Sequence, residues 1–173
     1  MLERKVLPIL NNGVKDLAHI IEPLKDAMKE IQWISRNLRP SALDDFGLGA
    51  AIRSMSEDFT SRTHIGIQPQ GFPSYRLAPE LELALFRIVQ ESLNNIEKHS
   101  MATNVIIECK EEANSLILTV TDNGVGINME RLSTHTKSAG VGLATMKERA
   151  ELVGGTMSLS SIQGRETQIV IRT

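Results

Sequence analysis

Cysteine occurs once in the 173 residues, at Cys109. That excludes an internal disulfide framework and any multi-cysteine metal site. Aromatic residues make up only 3%, with four Phe, one Trp and one Tyr. Too few are present for a platform on which nucleic-acid bases stack. No apolar run approaches the roughly 18–20 residues that a membrane span needs, and the one near the N-terminus is too short for a signal peptide. An excess of either charge is missing as well: 19 Lys and Arg stand against 21 Asp and Glu, a net charge of −2. Nucleic acid or an anionic membrane surface would call for a basic field. The expected setting is the cytoplasm, with any membrane anchor of a longer parent lying outside these residues.

What is present suits a soluble, folded chain: 41% of residues are apolar and 23% charged. The length predicts one domain plus an appendage. The appendage is visible in the spacing. Val14, Leu17, Ile21, Leu24, Met28, Ile31 and Leu38 follow steps of three and four, interrupted at Ser35. That is a heptad seam for packing one helix on another, with Pro23 as a kink or a second helix start. The 14–38 segment is therefore expected to be a homodimerisation or bundle helix, ended at Arg39-Pro40.

Beyond it, Ser41 to Gly47 reads as a loop with capping residues, and Leu48 to Ser61 as a helix with Leu48, Ala51, Ile52, Met55 and Phe59 on one face. His64 to Gln70 alternates weakly as a strand, and Gly71 to Pro79 is a turn-rich connector. Leu81 to His99 is a second strong helix behind Pro79-Glu80. Asn104–Lys110 and Ser115–Thr121 predict a hairpin, in which Cys109 is a half-buried strand residue. Residues 128–140 carry no apolar period and read as a polar loop. Val141 to Val153 is a third helix, stopped by Gly154-Gly155. Met157–Ser161 and Thr167–Arg172 form a last hairpin around Gln163-Gly164-Arg165. Helices and hairpins arriving in blocks make the class α+β: a mixed sheet covered on one face by helices.

Three stretches carry chemistry. On the helix Leu81–His99, the stripe Leu81, Leu85, Ile88, Ser92 and Ile96 faces the core. Glu91, Asn95 and Lys98 fall together at its edge. Carboxylate and amide oxygens are hard ligands of the kind Mg²⁺ takes beside water and phosphate, and lysine supplies a point charge for phosphate. The second stretch, Thr119-Val-Thr-Asp-Asn-Gly-Val-Gly-Ile127, delivers Asp122 to a strand end, where Gly124 and Gly126 permit a tight turn. An ionised carboxylate only accepts hydrogen bonds, so its natural partner is an N–H donor such as an exocyclic amine. The third, Ser138-Ala-Gly-Val-Gly-Leu-Ala-Thr145, opens a helix with glycines that expose amide N–H groups to an anion. It is neither a P-loop nor a dinucleotide fingerprint. Each stretch alone is also compatible with a solvated helix face, an ordinary turn or a plain helix start.

Order and spacing narrow this. Asp122 lies 27 residues after Asn95, and Gly140 lies 14 after Gly126. Gln90-Glu-Ser-Leu-Asn-Asn-Ile-Glu-Lys-His99 resembles the N box, Asp122-Asn-Gly-Val-Gly126 the adenine-binding box, and Gly140-Val-Gly-Leu143 the glycine-rich box of the GHKL superfamily of ATP-binding domains. Within it, Leu38-Arg39-Pro40 followed by Gly47-Leu48, together with Leu143–Gly155, is similar to the two-component sensor histidine kinases that carry a Leu-Arg-Pro motif. The resemblance covers roughly residues 30–173.

It implies a two-layer α/β sandwich of the Bergerat type over 41–173. Residues 1–40 would be the C-terminal part of a dimerisation and histidine-phosphotransfer bundle. By the same resemblance, ATP is bound with Mg²⁺. Asn95 holds the metal, and Glu91 orients or deprotonates the attacking group. Lys98 and His99 contact phosphate, and Asp122 accepts the adenine amine with Gly124 and Gly126 shaping the pocket. Gly140, Gly142 and Leu143 wrap the triphosphate, and Thr167 touches the adenine end.

The implied activity is transfer of the γ-phosphoryl group to a histidine in another segment or chain, for relay to a response regulator. None of the four histidines (His19, His64, His99, His135) fits the acceptor pattern, so the acceptor helix is expected ahead of Met1. There are departures from the family pattern. Glu166 stands where the family usually has glycine, and the lid lacks a phenylalanine-rich box. Two other functions fit parts of the pattern: a serine kinase of the anti-sigma-factor type on the same fold, and a non-catalytic dimerisation or regulator-binding module.

Overall fold

A computed structural model describes residues 40–127 and 140–173. The chain divides at Arg39–Pro40, and the second unit is Pro40–Thr173. The heptad segment 14–38, Leu38-Arg39 of the Leu-Arg-Pro motif, His19, His135 and the polar loop before Gly140 lie outside the described residues.

The first helix, α1 (Ser41–Thr63), starts earlier than its sequence suggests. The sequence predicts a loop over Ser41 to Gly47, because Ser and Asp favour caps and turns. Instead Pro40, with φ −63°, precedes a short helical stretch. It is held by the Leu43 and Asp44 N–H groups on the Pro40 carbonyl and by full burial of Leu43. Gly47 (φ 78°) then breaks the helix, and from Leu48 onward the expected face packs inward: Leu48, Ala51, Ile52 and Phe59 are buried. His64 is not a strand residue. It caps α1 in the left-handed region (φ 61°), its N–H donating to Thr60 O.

Strand β1 (Gly66–Gln70) follows, and then the connector to α2 (Pro79–Asn95). That helix has Pro in its first turn, where the missing N–H costs nothing, and Glu80 and Glu82 beside the positive end of its dipole. Glu82 is buried, and its carboxylate accepts from Arg76 Nε at 3.0 Å and Arg76 Nη2 at 2.8 Å. The same guanidinium donates to the Leu43 and Asp44 carbonyls. One arginine thus ties the connector, α1 and α2 together. The expected stripe of α2 is buried except for a partly exposed Leu81, and Ala84, Phe86, Val89 and Leu93 are buried as well. The helix is amphipathic, yet Glu82 and Arg87 are buried along with its apolar residues, so most of its circumference is covered. It packs against α1, against α3 (Gly140–Leu152) and against the sheet.

The sheet contains β2 (Asn104–Glu112), β3 (Ser115–Asp122), β4 (Thr156–Ile162) and β5 (Glu166–Arg172), in the order β1-β2-β3-β5-β4. Only β1–β2 is parallel. Both ends of the β2–β3 hairpin extend further than expected. Ala113 and Asn114, at φ 46° and 69°, form a two-residue turn of the hand that twisted hairpins favour. Pro69 sits on β1, an edge strand, where its lack of a donor does least harm. Cys109 is fully buried rather than half-buried, in the middle of the helix-facing row of β2, and burial pushes its thiol up to about 11. This is the expected α+β mixed sheet under a layer of helices.

Candidate nucleotide-binding site

Strand register builds one end of the site. On the helix-facing side, Leu118, Ile171 and Met157 stand in one cross-strand row, and Val120, Ile169 and Leu159 in the next. One step further, the same alternation places Asp122, Thr167 and Ser161 side by side on β3, β5 and β4. The layer that has been apolar turns polar at the strand ends. Asp122 is 4% exposed and Thr167 7%. Burying a carboxylate disfavours its charge, so the Asp122 carboxyl is pushed above its ordinary value, an effect opposed by the Gly124 N–H bonded to Oδ1 at 2.9 Å. Among the described residues, the second oxygen of Asp122 accepts no hydrogen bond.

The loop after β3 is stitched down on both sides. Asn123 Oδ1 accepts from the Thr103 and Asn104 N–H groups, and Val125 N–H donates to Ser100 O at 2.8 Å. Val125 O accepts from Gly164 N–H at 2.6 Å, and Ile127 N–H donates to Ser161 Oγ at 2.8 Å. Such close contact explains the glycines. A Cβ on Gly124 would collide with Ser100 O and lie 2.6 Å from Asp122 Oδ1, and Gly126 has φ 71° with Ile162 O directly behind it.

Helix ends build the other end of the site. Glu91 and Asn95, one turn apart on α2, are both partly exposed. The first turn of α3 comes up against them: a Cβ on Gly142 would collide with Glu91 Oε1 and lie 3.4 Å from Asn95 Nδ2. Below this contact Ser92 Oγ reaches Met146 Sδ at 3.4 Å, and Met146 and Ala150 are completely buried. The first turn of α3 carries no acidic residue of its own, and the Glu91 carboxylate is the negative group set against the positive end of its dipole.

Past Asn95 the wheel drawn from sequence fails. Residues Ile96–Ser100 form a π-helical turn. The wider turn shifts the angular position of Lys98 and His99 relative to the regular 3.6-residue placement expected beside Glu91 and Asn95. Both side chains are exposed, in the last turn of the helix, where positive charge suits the dipole. The π turn also delivers Ser100 O to the Val125 N–H, which joins the helical end of the site to the strand-loop end.

The structure thus groups Asp122, Gly124, Gly126 and Thr167 at one end. Glu91, Asn95 and Gly142 meet at the other, where α3 begins at Gly140 and Leu143 packs partly against the core. Among the described residues, no hydrogen bond or ion pair ties Lys98 or His99 to either group. Sequence reasoning missed Ser161 and Ser100. The strand alternation of β4 was the available signal for Ser161, but only register shows that it faces Thr167.

The donors fit a divalent cation bound through substrate. Asn95 offers an amide oxygen and Glu91 a carboxylate. Among the described residues no three His, Cys, Asp or Glu side chains converge. A cation at Asn95 would therefore complete its shell with phosphate oxygens and water, the habit of Mg²⁺.

Residues 80–173 match the family described as histidine kinase-, DNA gyrase B- and HSP90-like ATPases. The chain is 33% identical over 166 residues to the sensor histidine kinase MctS of Rhizobium johnstonii, a match covering 95% of this chain and 36% of that protein. It is 36% identical over 143 residues to the oxygen sensor histidine kinase NreB of Staphylococcus carnosus, covering 82% and 40%. The kinase/phosphatase DegS of Bacillus subtilis is 33% identical over 165 residues, covering 93% and 43%. The chain thus spans about two fifths of the curated relatives it matches. Among solved structures, the histidine kinase domain of a blue-light activated kinase from Erythrobacter litoralis superposes with TM-score 0.61 at 18% identity, covering 72% of this chain and 59% of that one. The histidine kinase AdeS of Acinetobacter baumannii gives 0.59 at 18%, covering 91% and 81%. These two likenesses concern the fold. The family match covers more than half of the chain, which belongs to the histidine kinase-, DNA gyrase B- and HSP90-like ATPases.

Proposed function

We propose that this member of the ATPase family is the catalytic module of a sensor histidine kinase, binding Mg·ATP between Asp122 and the first turn of α3 and presenting the γ-phosphoryl group to a histidine on another segment. The observation that carries this reading is the approach of Gly142 to Glu91 and Asn95, so close that a Cβ would collide with Glu91 Oε1. Bare backbone at a helix N-terminus, set against a carboxylate and an amide, is a place where a phosphate chain and its counter-ion can both be held. The similarity to three named histidine kinases supports the acceptor class.

Within this reading each group has a task set by its surroundings. Asp122, acceptor-only and buried, takes the adenine amino group. Thr167, its neighbour across β3–β5, lines the same edge. Gly140, Gly142 and Leu143 bring the α3 N–H groups to the triphosphate. Lys98 and His99, exposed on the π turn, reach phosphate oxygens from the opposite side. Mg²⁺ would be held by Asn95 and would neutralise charge on the phosphates. Glu91 orients the attacking imidazole and takes up its proton. Transfer then depends on positioning and charge neutralisation rather than on covalent work by the protein.

A homodimer formed through residues 14–38 would supply the acceptor histidine from a helix outside this chain and pass the phosphoryl group to a response regulator. The cytoplasm, where ATP is plentiful, is the matching compartment. No helix among the described residues is long and apolar enough to cross a membrane.

The test is calorimetric titration of the chain with Mg·ATP, repeated with Asn95→Ala and Asp122→Ala, followed by transfer of labelled γ-phosphate to a histidine-bearing dimerisation segment. Binding lost in both variants and acid-labile label on the segment are expected. Unchanged binding by both variants would sink the site assignment, and acid-stable label on serine would replace the acceptor.

A further inference from the structure

The row Asp122–Thr167–Ser161 carries more than a place for adenine. Ser161 Oγ has three partners. It lies 2.8 Å from Glu166 O, 2.8 Å from the Ile127 N–H and 3.2 Å from Thr167 Oγ1. A carbonyl can only accept, so the single hydroxyl proton of Ser161 goes to Glu166 O. The Ile127 N–H takes one of its lone pairs. What remains for Thr167 is the other lone pair, and Thr167 must therefore be the donor. Its proton is directed away from the Asp122 side of the row, and the capacity it retains is that of an acceptor. Asp122, its cross-strand neighbour, is acceptor-only when ionised, and its Oδ1 is already occupied by Gly124.

We infer that Ser161 is a specificity-determining residue: by fixing the direction of the Thr167 hydroxyl proton, it makes this end of the pocket an edge of acceptors, which admits a base presenting an amino group and rejects one presenting a carbonyl at that position. Ser161 does not touch the base and acts through Thr167. A hydroxyl free to rotate could donate to the oxygen of a 6-oxopurine; one held by Ser161 cannot. Desolvating that oxygen without a partner is the penalty that produces the discrimination. The inference rests on the reading of the Asp122 end as the adenine site and names a determinant that reading does not contain.

The experiment measures the affinity of the chain for Mg·ATP and Mg·GTP by calorimetry. Ser161→Ala is expected to lower the ATP-to-GTP preference by roughly three- to tenfold, chiefly through a gain in GTP binding. Ser161→Thr, which keeps the hydroxyl, is expected to preserve the preference. On a Thr167→Val background, Ser161→Ala should leave the ratio where Thr167→Val alone puts it, because the residue that transmits the effect is gone. An unchanged ratio in Ser161→Ala with ATP still bound overturns the inference, as does a further change on the Thr167→Val background. Should Ser161→Ala fail to fold, Ser161→Cys makes the same comparison with a near-isosteric group and a weaker hydrogen bond. If the unaltered chain binds no ATP, the adenine-site reading itself is overturned, an outcome distinct from a flat selectivity.

Discussion

The two ends of the site are made by different means. At the Asp122 end, three strands in fixed register set the side chains, and hydrogen bonds of its backbone and of the Asn123 amide tie the adjoining loop to its surroundings. At the Glu91 end, the parts are the flank of one helix, the first turn of another and two exposed basic side chains on a π turn. In the proposed function the Asp122 end takes the base, a rigid plate with a fixed donor pattern that a pre-formed sheet edge suits. A triphosphate changes shape and charge during transfer, and helix ends with long side chains can follow it.

The largest expected difference between the ends is in binding. Asp122→Asn keeps an oxygen for the Gly124 N–H but replaces an acceptor with a donor, so it should weaken ATP binding by roughly 100-fold, as loss of a hydrogen bond to a charged group does. Calorimetric titration checks it. A loss below threefold would mean that the base is not read at this end.

The glycines give a sharper contrast, because each end has one where a Cβ does not fit. At Gly124 the obstacle is the Ser100 backbone carbonyl, which cannot step aside. Gly124→Ala should therefore destabilise the fold by about 1–3 kcal/mol, seen as a lower denaturant midpoint. At Gly142 the obstacle is the far end of the Glu91 side chain, which can swing away. Since Ala is favoured over Gly inside a helix by about 0.5–1 kcal/mol, Gly142→Ala should leave stability unchanged or raise it. Phosphoryl transfer should nevertheless fall roughly tenfold, because Glu91 is displaced. If Gly142→Ala lost stability as Gly124→Ala does, the two ends would be equally rigid and the contrast would fail.

This division also explains what could be read from the chain beforehand. The apolar spacing of α2 and the later half of α1, the hairpins and the α+β class follow from local periodicity, and so does the pairing of Glu91 with Asn95 one turn apart. The π turn was hidden because Ile96 continues the apolar stripe of a regular helix, and an inserted residue leaves no mark in composition. The start of α1 was hidden because Ser41, Asp44 and Asp45 favour caps, while tertiary burial of Leu43 decides the matter. Strand pairing over long separations is what places Ser161 beside Thr167 and Asp122, and no window along the sequence contains that information. Asp122 could be found because glycines flank it; Ser161 looks like any serine on an edge strand.

The smallest effect concerns stability without nucleotide. Because burial raises the Asp122 carboxyl above its ordinary 3.8 in the folded chain, the folded state holds this proton more tightly than the unfolded state does. The stabilisation is then complete below the unfolded value and is lost as pH rises through the folded one. An ionised Asp122 is a burden on the empty fold, relieved only in part by the Gly124 N–H. Asp122→Asn should accordingly remove the decline in stability that sets in as pH rises above the unfolded value of 3.8, and slightly raise the melting temperature of the nucleotide-free chain where Asp122 is ionised. Thermal unfolding across that range measures both. The sheet-built end would then be strained until its ligand arrives, since the acceptor proposed to recognise the base is the group whose burial costs the empty protein stability; an Asp122→Asn chain that melts lower at every pH would show instead that the carboxylate is held there for the fold.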